Sequence, residues 1–173
     1  MRQLFTIDKK DYDPNDRRTH RPSVRAVIIR GDKLETVHSL KFDYYKFPGG
    51  GIEPGESHVQ ALVREVLEES GLRVIESSVR EYGCVRRVQR GRPGEIFDQE
   101  NFYYFCDVLP DKEEQKLDDY EADERFTPEL VSPRRAADTN FFAEHHGKDP
   151  VLIEREARVL EMLIAEGYFE GND

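Results

Sequence analysis

The fold is decided by residues 49–74, which read GGGIEPGESHVQALVREVLEESGLRV. The stretch begins with three consecutive glycines and continues into a helix-like run that places Glu65, Glu68 and Glu69 within about one turn. Carboxylates that are three and four positions apart on a helix lie next to one another and repel. The stretch therefore needs something that offsets this repulsion.

A helix is expected over residues 57–70. Ser57 and Gln60 form a capping-box pattern at its start, and Gly71 is suited to end it. Apolar residues recur at helical spacing and form one stripe, made of Val59, Leu62, Val63, Val66 and Leu67. At about 100° per residue, the three glutamates fall opposite this stripe. The sequence therefore predicts a helix that buries one side and exposes its acids on the other.

Three carboxylates on one helical face suit a hard divalent cation, because Mg²⁺ prefers oxygen ligands and retains bound water. A glycine-rich loop before a helix can also aim backbone N–H groups at an anion. The competing interpretation is a solvated helix face, in which Arg64 and Glu68 form an ordinary pair across one turn. Taken alone, an acidic cluster does not decide between the two.

Composition restricts the function classes. The chain has 173 residues, 36% of them charged, and a net charge of −10, which favours a single soluble domain and argues against a general nucleic-acid binder. An anionic ligand would then need a local source of positive charge. No apolar run is long enough for a membrane span, and Cys84 and Cys106 are expected to be buried on strands in a reducing cytoplasm.

Strands and helices alternate along the chain. Residues 1–21 are expected to be a polar lead-in, and residues 22–173 a single domain. Strands are predicted at 24–30, 34–40, 44–47, 81–90, 96–109 and 126–132, helices at 133–142 and 150–167, and an acidic loop at 111–124. This order favours a mixed α/β or α+β fold with helices on the faces of a sheet.

The complete spacing of the opening stretch resembles the Nudix box, G-x5-E-x7-R-E-U-x-E-E-x-G-U, in which U is a bulky apolar residue. Every fixed position within residues 50–72 is filled, by Gly50, Glu56, Arg64, Glu65, Val66, Glu68, Glu69, Gly71 and Leu72. The sequence is therefore similar to the Nudix hydrolase family over a motif too long to match by chance.

The resemblance implies an α/β/α sandwich around a mixed sheet and hydrolysis of a nucleoside diphosphate linked to another group. It implies Mg²⁺, with Mn²⁺ as a possible substitute, bound by the Gly49 carbonyl, Glu65, Glu68 and Glu69. Gly50, Glu56, Arg64 and Gly71 are then structural members of the box, with Arg64 orienting the metal-binding glutamates.

The general base and the substrate contacts stay open. Glu68, Glu121 and Glu124 are candidates for the base, and Glu124 is slightly favoured because it precedes the strand predicted at 126–132. Four arginines could bind phosphate or base, namely Arg25, Arg86, Arg87 and Arg90, and the competing interpretation for each is a surface charge paired with an acid.

The chain carries none of the secondary signatures of the ADP-ribose, dinucleotide or NADH enzymes of the family. A nucleoside triphosphate or an oxidised nucleotide is therefore the expected substrate, with ADP-ribose, a dinucleotide or a nucleotide sugar as the alternative. A ligand-sensing domain without hydrolysis is a further alternative, and so is a partner-binding role for the last helix. A homodimer is compatible with the family resemblance.

Overall fold

A computed structural model describes residues 1–169. Within these residues the chain forms ten strands and four helices. The strands are β1 (Gln3–Asp8), β2 (Arg17–His20), β3 (Ser23–Arg30), β4 (Lys33–Ser39), β5 (Tyr44–Lys46), β6 (Leu72–Val74), β7 (Arg80–Arg90), β8 (Glu95–Phe105), β9 (Val108–Lys112) and β10 (Phe126–Val131). The helices are α1 (His58–Ser70), α2 (Asp119–Asp123), α3 (Pro133–Phe142) and α4 (Pro150–Ala165).

Eight of these strands form one mixed sheet, in the order β1-β7-β8-β3-β4-β10. Strand β5 pairs with β4, and β2 pairs with β8. Strands β7 and β8 form a long antiparallel hairpin, whereas β3 runs parallel to β8 and antiparallel to β4. The remaining two strands, β6 and β9, make a separate antiparallel pair. The expected mixed sheet is therefore present.

Side chains of β3 alternate between the two faces of this sheet, as the period of a strand requires. Val24, Ala26 and Ile28 pack with Leu62 and Val66 of α1. Val27 points the other way, into a core that α3 and α4 cover with residues such as Leu160. The predicted α/β/α sandwich is confirmed, and the apolar stripe of the last helix docks on its own sheet.

The capped helix at the centre of the sequence forms as expected. The hydroxyl of Ser57 accepts a hydrogen bond from the Gln60 N–H, the Gln60 side chain bonds back, and Gly71 ends the helix in the left-handed conformation at φ 71°. The expected exposure of all three acids is wrong, however. Glu69 is 1% exposed, because the loop after β5 covers this side of the helix.

The N-terminal segment takes part in the sheet. Residues 1–21, expected as a polar lead-in, contain β1, which pairs in parallel with β7, and β2, which pairs in parallel with β8. Their sequence does not alternate clearly enough to indicate strands. They are strands because they pair with β7 and β8, which lie far along the chain. The predicted strand 96–109 is divided into β8 and β9, and the expected loop 111–124 contains the short helix α2.

Both cysteines are buried and free, as expected. None of the helices within residues 1–169 has the length and hydropathy that a bilayer span requires. The last four residues of the predicted domain lie outside the described part of the chain.

Candidate active site

The glycine loop brings the backbone into a position that no other residue permits. Gly49 adopts φ 141°, and a Cβ at this position would lie 2.1 Å from the carbonyl oxygen of Val24. The N–H of Gly49 donates to Oε2 of Glu69 at 2.8 Å. The loop is therefore fixed to the strand on one side and to helix α1 on the other.

A buried lysine connects two of the predicted metal ligands. Nζ of Lys46 donates to Oε1 of Glu69 and also lies 3.2 Å from the carbonyl oxygen of Gly49. Burial raises the pKa of Glu69 to about 7, although Lys46 and Arg25 oppose this effect. A positive charge thus already lies between the two oxygens.

Arg64 links three parts of the box. Its guanidinium donates to both carboxylate oxygens of Glu56, to Oε1 of Glu65 at 2.7 Å and to the carbonyl oxygen of Gly51 at 3.0 Å. Its contact with Glu68 is longer, 3.3 Å. The arginine therefore holds the glycine loop and Glu65 in a fixed relation.

The two other acids of the helix differ in exposure. The side chain of Glu65 is 13% exposed, and burial raises its pKa while Arg64 opposes the rise. The side chain of Glu68 is 39% exposed. Glu68 is therefore the acid of this cluster that water reaches most easily.

An open cleft of about 850 Å³ adjoins the glycine loop. Its walls carry seven cationic side chains, Arg17, Arg21, Arg25, Lys46, Arg92, Lys148 and Arg155, but a single carboxylate, Glu95. Four of the seven are paired with carboxylates, Arg17 with Glu95, Lys46 with Glu69, Lys148 with Glu124 and Arg155 with Glu156. Arg21, Arg25 and Arg92 form no ion pair within residues 1–169. These three supply local positive charge with which an acidic protein can bind an anion.

Arg25 lies in the buried part of this cleft. The residue is 7% exposed, and its Nη1 donates to the carbonyl oxygen of Gly49. Its Nε is buried and has no hydrogen-bond partner within residues 1–169. A buried charged donor without a partner is costly, so this nitrogen is poised for an acceptor from outside the chain.

The two loop acids have other contacts. Glu124 is 5% exposed, accepts hydrogen bonds from the hydroxyls of Ser39 and Tyr44, and pairs with Lys148. Glu121 accepts a hydrogen bond from the N–H of Asp118, which is the N-cap residue of α2, and another from the Tyr120 hydroxyl. Neither lines the cleft, although Lys148 and Tyr120 do. The acids of α1 do not line it either, and of the predicted metal ligands only Gly49 does.

Three of the four expected substrate arginines do not line the cleft. Arg86 binds Asp98 through two nitrogens, Arg87 pairs with Asp149, and Arg90 bonds to Asp11. Only Arg25 lines it, and the expectation that the other three bind substrate stays a prediction.

Several cleft residues were not anticipated from the sequence. Lys46, Arg21, Arg92, Lys148 and Arg155 come from five separate segments, and single cations in strands and loops carry no local signal. Four aromatic residues also line the cleft, Tyr44, Phe97, Tyr120 and Phe126. These residues come together only through contacts between distant segments of the chain, which the sequence does not show.

The predicted metal ligands are oxygen donors that lie around the glycine loop and α1. No group of three or more His, Cys, Asp or Glu side chains within residues 1–169 is assembled around a common point. The available donors are nevertheless oxygens of Glu65, Glu68, Glu69 and Gly49, which hard divalent cations prefer. Since the Lys46 ammonium already bridges Glu69 and Gly49, the chemistry of the donor set fits a cation.

Sequence comparison supports this interpretation. The chain is 27% identical over 106 residues to an RNA pyrophosphohydrolase of Halorhodospira halophila, covering 57% of this chain. It is 30% identical over 151 residues to the human nucleoside diphosphate-linked moiety X motif 6, covering 87% of this chain. The chain spans 59% of the length of the first relative and 40% of the second.

Solved structures share the fold. A NUDIX hydrolase from Nitrosomonas europaea matches with a TM-score of 0.60 at 22% identity, over 89% of this chain and 100% of that chain. A structure from work on MutT of Aliivibrio salmonicida and Vibrio cholerae matches with a TM-score of 0.56 at 18% identity, over 86% of this chain and 99% of that one.

The model of the NUDIX domain matches residues 19–148, which include the glycine loop, the whole of α1 and much of the cleft. With the filled box, the sandwich around a mixed sheet and the acids of α1 beside a cationic cleft, the chain belongs to the NUDIX domain family.

Proposed function

We propose that the protein hydrolyses a pyrophosphate bond in a nucleoside diphosphate linked to another group. The observation that carries this proposal is the cleft in which Lys46 bridges Glu69 and the Gly49 carbonyl beside the unpartnered Nε of Arg25. A carboxylate and two cationic side chains thus lie side by side around the Gly49 carbonyl, as a site for a metal ion and a polyphosphate requires.

Glu65, Glu68, Glu69 and the Gly49 carbonyl would hold the metal ion, which is Mg²⁺ in this proposal and replaceable by Mn²⁺. The resemblance to the Nudix box is what implies a divalent cation at these residues. When bound, the cation supplies positive charge to the phosphate oxygens and acidifies a nearby water.

The remaining steps belong to side chains of this protein. Arg25 and Lys46 add positive charge beside the glycine loop and stabilise the charge that grows on phosphate oxygens. A carboxylate removes a proton from the attacking water, an oxygen–phosphorus bond forms, and the bridging phosphorus–oxygen bond breaks so that the second phosphate leaves. Arg64 keeps Glu65 in place during this sequence.

We propose Glu68 as the base that removes this proton. Its side chain is 39% exposed, and its contact with Arg64 is the weakest of that residue's carboxylate contacts. Both carboxylate oxygens of Glu124 are engaged, by Lys148 on one side and by Ser39 and Tyr44 on the other. Glu121 and Glu124 remain the alternatives.

The substrate of first choice is a nucleoside triphosphate or an oxidised nucleotide, because the sequence carries no signature of another subclass. Tyr120, which is 53% exposed, supplies aromatic surface in the cleft for a base. ADP-ribose, dinucleotides and nucleotide sugars are the alternatives, as is ligand sensing without hydrolysis. We retain a cytoplasmic location, in keeping with two free buried cysteines, and a homodimer as further parts of the proposal.

The test is a panel of nucleoside triphosphates, oxidised nucleotides, ADP-ribose, dinucleotides and nucleotide sugars, assayed with and without Mg²⁺. One class should be hydrolysed, and Glu68→Gln should lower kcat by about a hundredfold or more. Glu69→Gln should abolish the response to Mg²⁺. Glu76→Gln, an exposed acid outside the site, is the control and should have no effect.

Calorimetry separates the enzyme from the sensing domain. Tight binding of a nucleotide with no turnover at any Mg²⁺ concentration would overturn the hydrolysis proposal. Hydrolysis that survives in both Glu68→Gln and Glu69→Gln would overturn the assignment of these residues.

A further inference from the structure

One wall of the cleft carries arginines at a regular spacing. Arg17, Arg21 and Arg25 are four residues apart, and all three line the cleft. They lie along one line beside β8, because β2 and β3 both pair in parallel with the same side of that strand. These three residues are named here the arginine row.

The register of β8 gives the length of the arginine row. In the strand register Arg17 lies opposite Glu95 and Arg25 lies opposite Tyr103, which is eight positions further along β8. At a rise of about 3.3 Å per residue, the ends of the row are about 26 Å apart, and adjacent members are about 13 Å apart. The positions of the three arginines differ by four, an even number, so their side chains share one face of the sheet.

Much of the positive charge along the arginine row is not neutralised. Arg25 has a buried Nε without a partner. Arg21 forms no ion pair with a carboxylate in the described part of the chain, and neither does Arg92, which enters the cleft from the turn between β7 and β8. Arg17 is paired with Glu95, the single acid of the cleft, and its side chain is 76% exposed.

The charge of Arg18, next to Arg17 in the sequence, is neutralised by a carboxylate. Arg18 points to the opposite face, where its Nη1 donates to Asp98 at 2.8 Å beside Arg86. Asp98 is thus used on the other face of the sheet, and Glu95 is the one carboxylate that pairs with a member of the row within the described residues. The charge of the arginine row is left for an acceptor in the cleft.

We propose that the arginine row, together with Arg92, binds phosphate groups of the substrate that lie beyond the scissile pyrophosphate. The proposal rests on the proposed function, because it places the pyrophosphate beside Gly49 and Arg25. A nucleoside triphosphate gathers all its charges at one end, whereas the row distributes its charges over about 26 Å. The row therefore fits a substrate whose phosphates are separated along a chain.

A phosphodiester chain with a 5′ triphosphate has this chemistry, because a nucleoside separates each phosphate from the next. A polyphosphate that joins two nucleosides keeps its phosphates contiguous and serves as the comparison. The experiment compares kcat/KM for a nucleoside triphosphate, for diadenosine tetraphosphate and for 5′-triphosphorylated oligoribonucleotides of two to six nucleotides. We expect kcat/KM to rise with chain length until the row is filled.

Variants assign this gain to the arginine row. Arg21→Gln should lower the ratio of kcat/KM for the six-nucleotide substrate to that for the nucleoside triphosphate by about tenfold. Arg92→Gln should act in the same direction, and each should reduce the salt dependence of binding by about one phosphate contact. Arg18→Gln removes the same charge from the other face and should leave the ratio unchanged.

The outcomes separate this proposal from the proposed function. Fluorescence anisotropy with labelled 5′-monophosphorylated oligonucleotides measures binding along the row without hydrolysis. Length-dependent binding that Arg21→Gln weakens, in a protein that hydrolyses nothing, would support the row and refute the hydrolysis. A gain confined to diadenosine tetraphosphate would refute the row, because its contiguous phosphates do not reach along it. Hydrolysis with no gain for the oligoribonucleotides, or an equal effect of Arg18→Gln, would also refute the row.

Discussion

The guanidinium of Arg64 donates two parallel hydrogen bonds to the carboxylate of Glu56, at 2.9 Å from Nε and 2.8 Å from Nη2. This bidentate pair lowers the pKa of Glu56 and leaves Nη1 free to hold Glu65. A lysine cannot reproduce the fork. Arg64→Lys should therefore weaken Mg²⁺ binding by about 10- to 100-fold, as measured by calorimetry.

Arg73→Lys is the control for this change, because Arg73 forms an exposed pair with Glu113 and bonds to none of the predicted metal ligands in the described part of the chain. It should bind Mg²⁺ like the unchanged protein. Equal Mg²⁺ affinity in Arg64→Lys would mean that the fork does not position the metal ligands.

Two adjacent glycines allow a sharp comparison. A Cβ on Gly50 would lie 2.3 to 2.6 Å from the carboxyl atoms of Glu65, whereas a Cβ on Gly51 would meet nothing within 4 Å. Gly50→Ala should displace the Glu65 side chain and lower Mg²⁺ affinity at least tenfold, with little change in Tm because the side chain can move. Gly51→Ala should change neither quantity. Identical affinities for the two variants would exclude Glu65 as a ligand.

A buried ion pair attaches the last helix to the glycine loop. Glu156 is fully buried and accepts hydrogen bonds from Arg155, from the Tyr103 hydroxyl and from the Phe47 N–H at 2.7 Å. Burial alone would raise the pKa of Glu156, but Arg155 and Arg25 reverse the effect and lower it. Glu156→Gln leaves the Arg155 charge without its partner and should cost about 3 to 5 kcal/mol in the free energy of unfolding.

Urea denaturation measures this cost, and Glu154→Gln on the same helix is the control. The side chain of Glu154 is 46% exposed and pairs only with Arg158 across one turn. Its replacement should cost less than about 0.5 kcal/mol. A loss of the same small size in Glu156→Gln would contradict a structural role for the buried pair.

Asp98 gives a pH dependence with a definite sign. The hydrogen bonds from Arg86, together with that from Arg18, lower its pKa in the folded protein. Stability from this group is therefore complete above the unfolded value of about 3.9 and is lost as the pH falls through the lower folded value. Asp98→Asn should cost on the order of 1 kcal/mol at pH 7, since both arginines are partly exposed.

The difference in unfolding free energy between Asp98→Asn and the unchanged protein should shrink below about pH 4. Urea denaturation at pH 3.5 and at pH 7 measures it. A difference that stays constant between these two pH values would contradict the assignment of the lowered pKa to these contacts.

Local patterns were sufficient for the elements around the candidate site and for the last two helices. The capping box of Ser57 and Gln60, the proline that starts α3 and the alternation of β3 are each properties of a few neighbouring residues. The spacing of the box likewise located Gly49, Glu65, Glu68 and Glu69 for the candidate site.

Tertiary contacts decided what the sequence could not. Glu69 was expected on an exposed face, but the loop that carries Gly49 covers it and Lys46 neutralises it. Lys46 comes from a short strand and Arg155 from the last helix, and neither position has a motif. The strands of the N-terminal segment were missed for the same reason, since β1 and β2 form through partners about 80 residues away.

The pairing of the first two strands has a consequence for association. Strand β1 covers the outer edge of β7, and β2 covers β8 between Glu95 and Asp98. A chain shortened to begin at residue 22 would keep the glycine loop and α1 but would uncover unpaired backbone groups on both strands of the hairpin. Such open edges invite pairing with other molecules, so the first symptom of shortening would be self-association and aggregation.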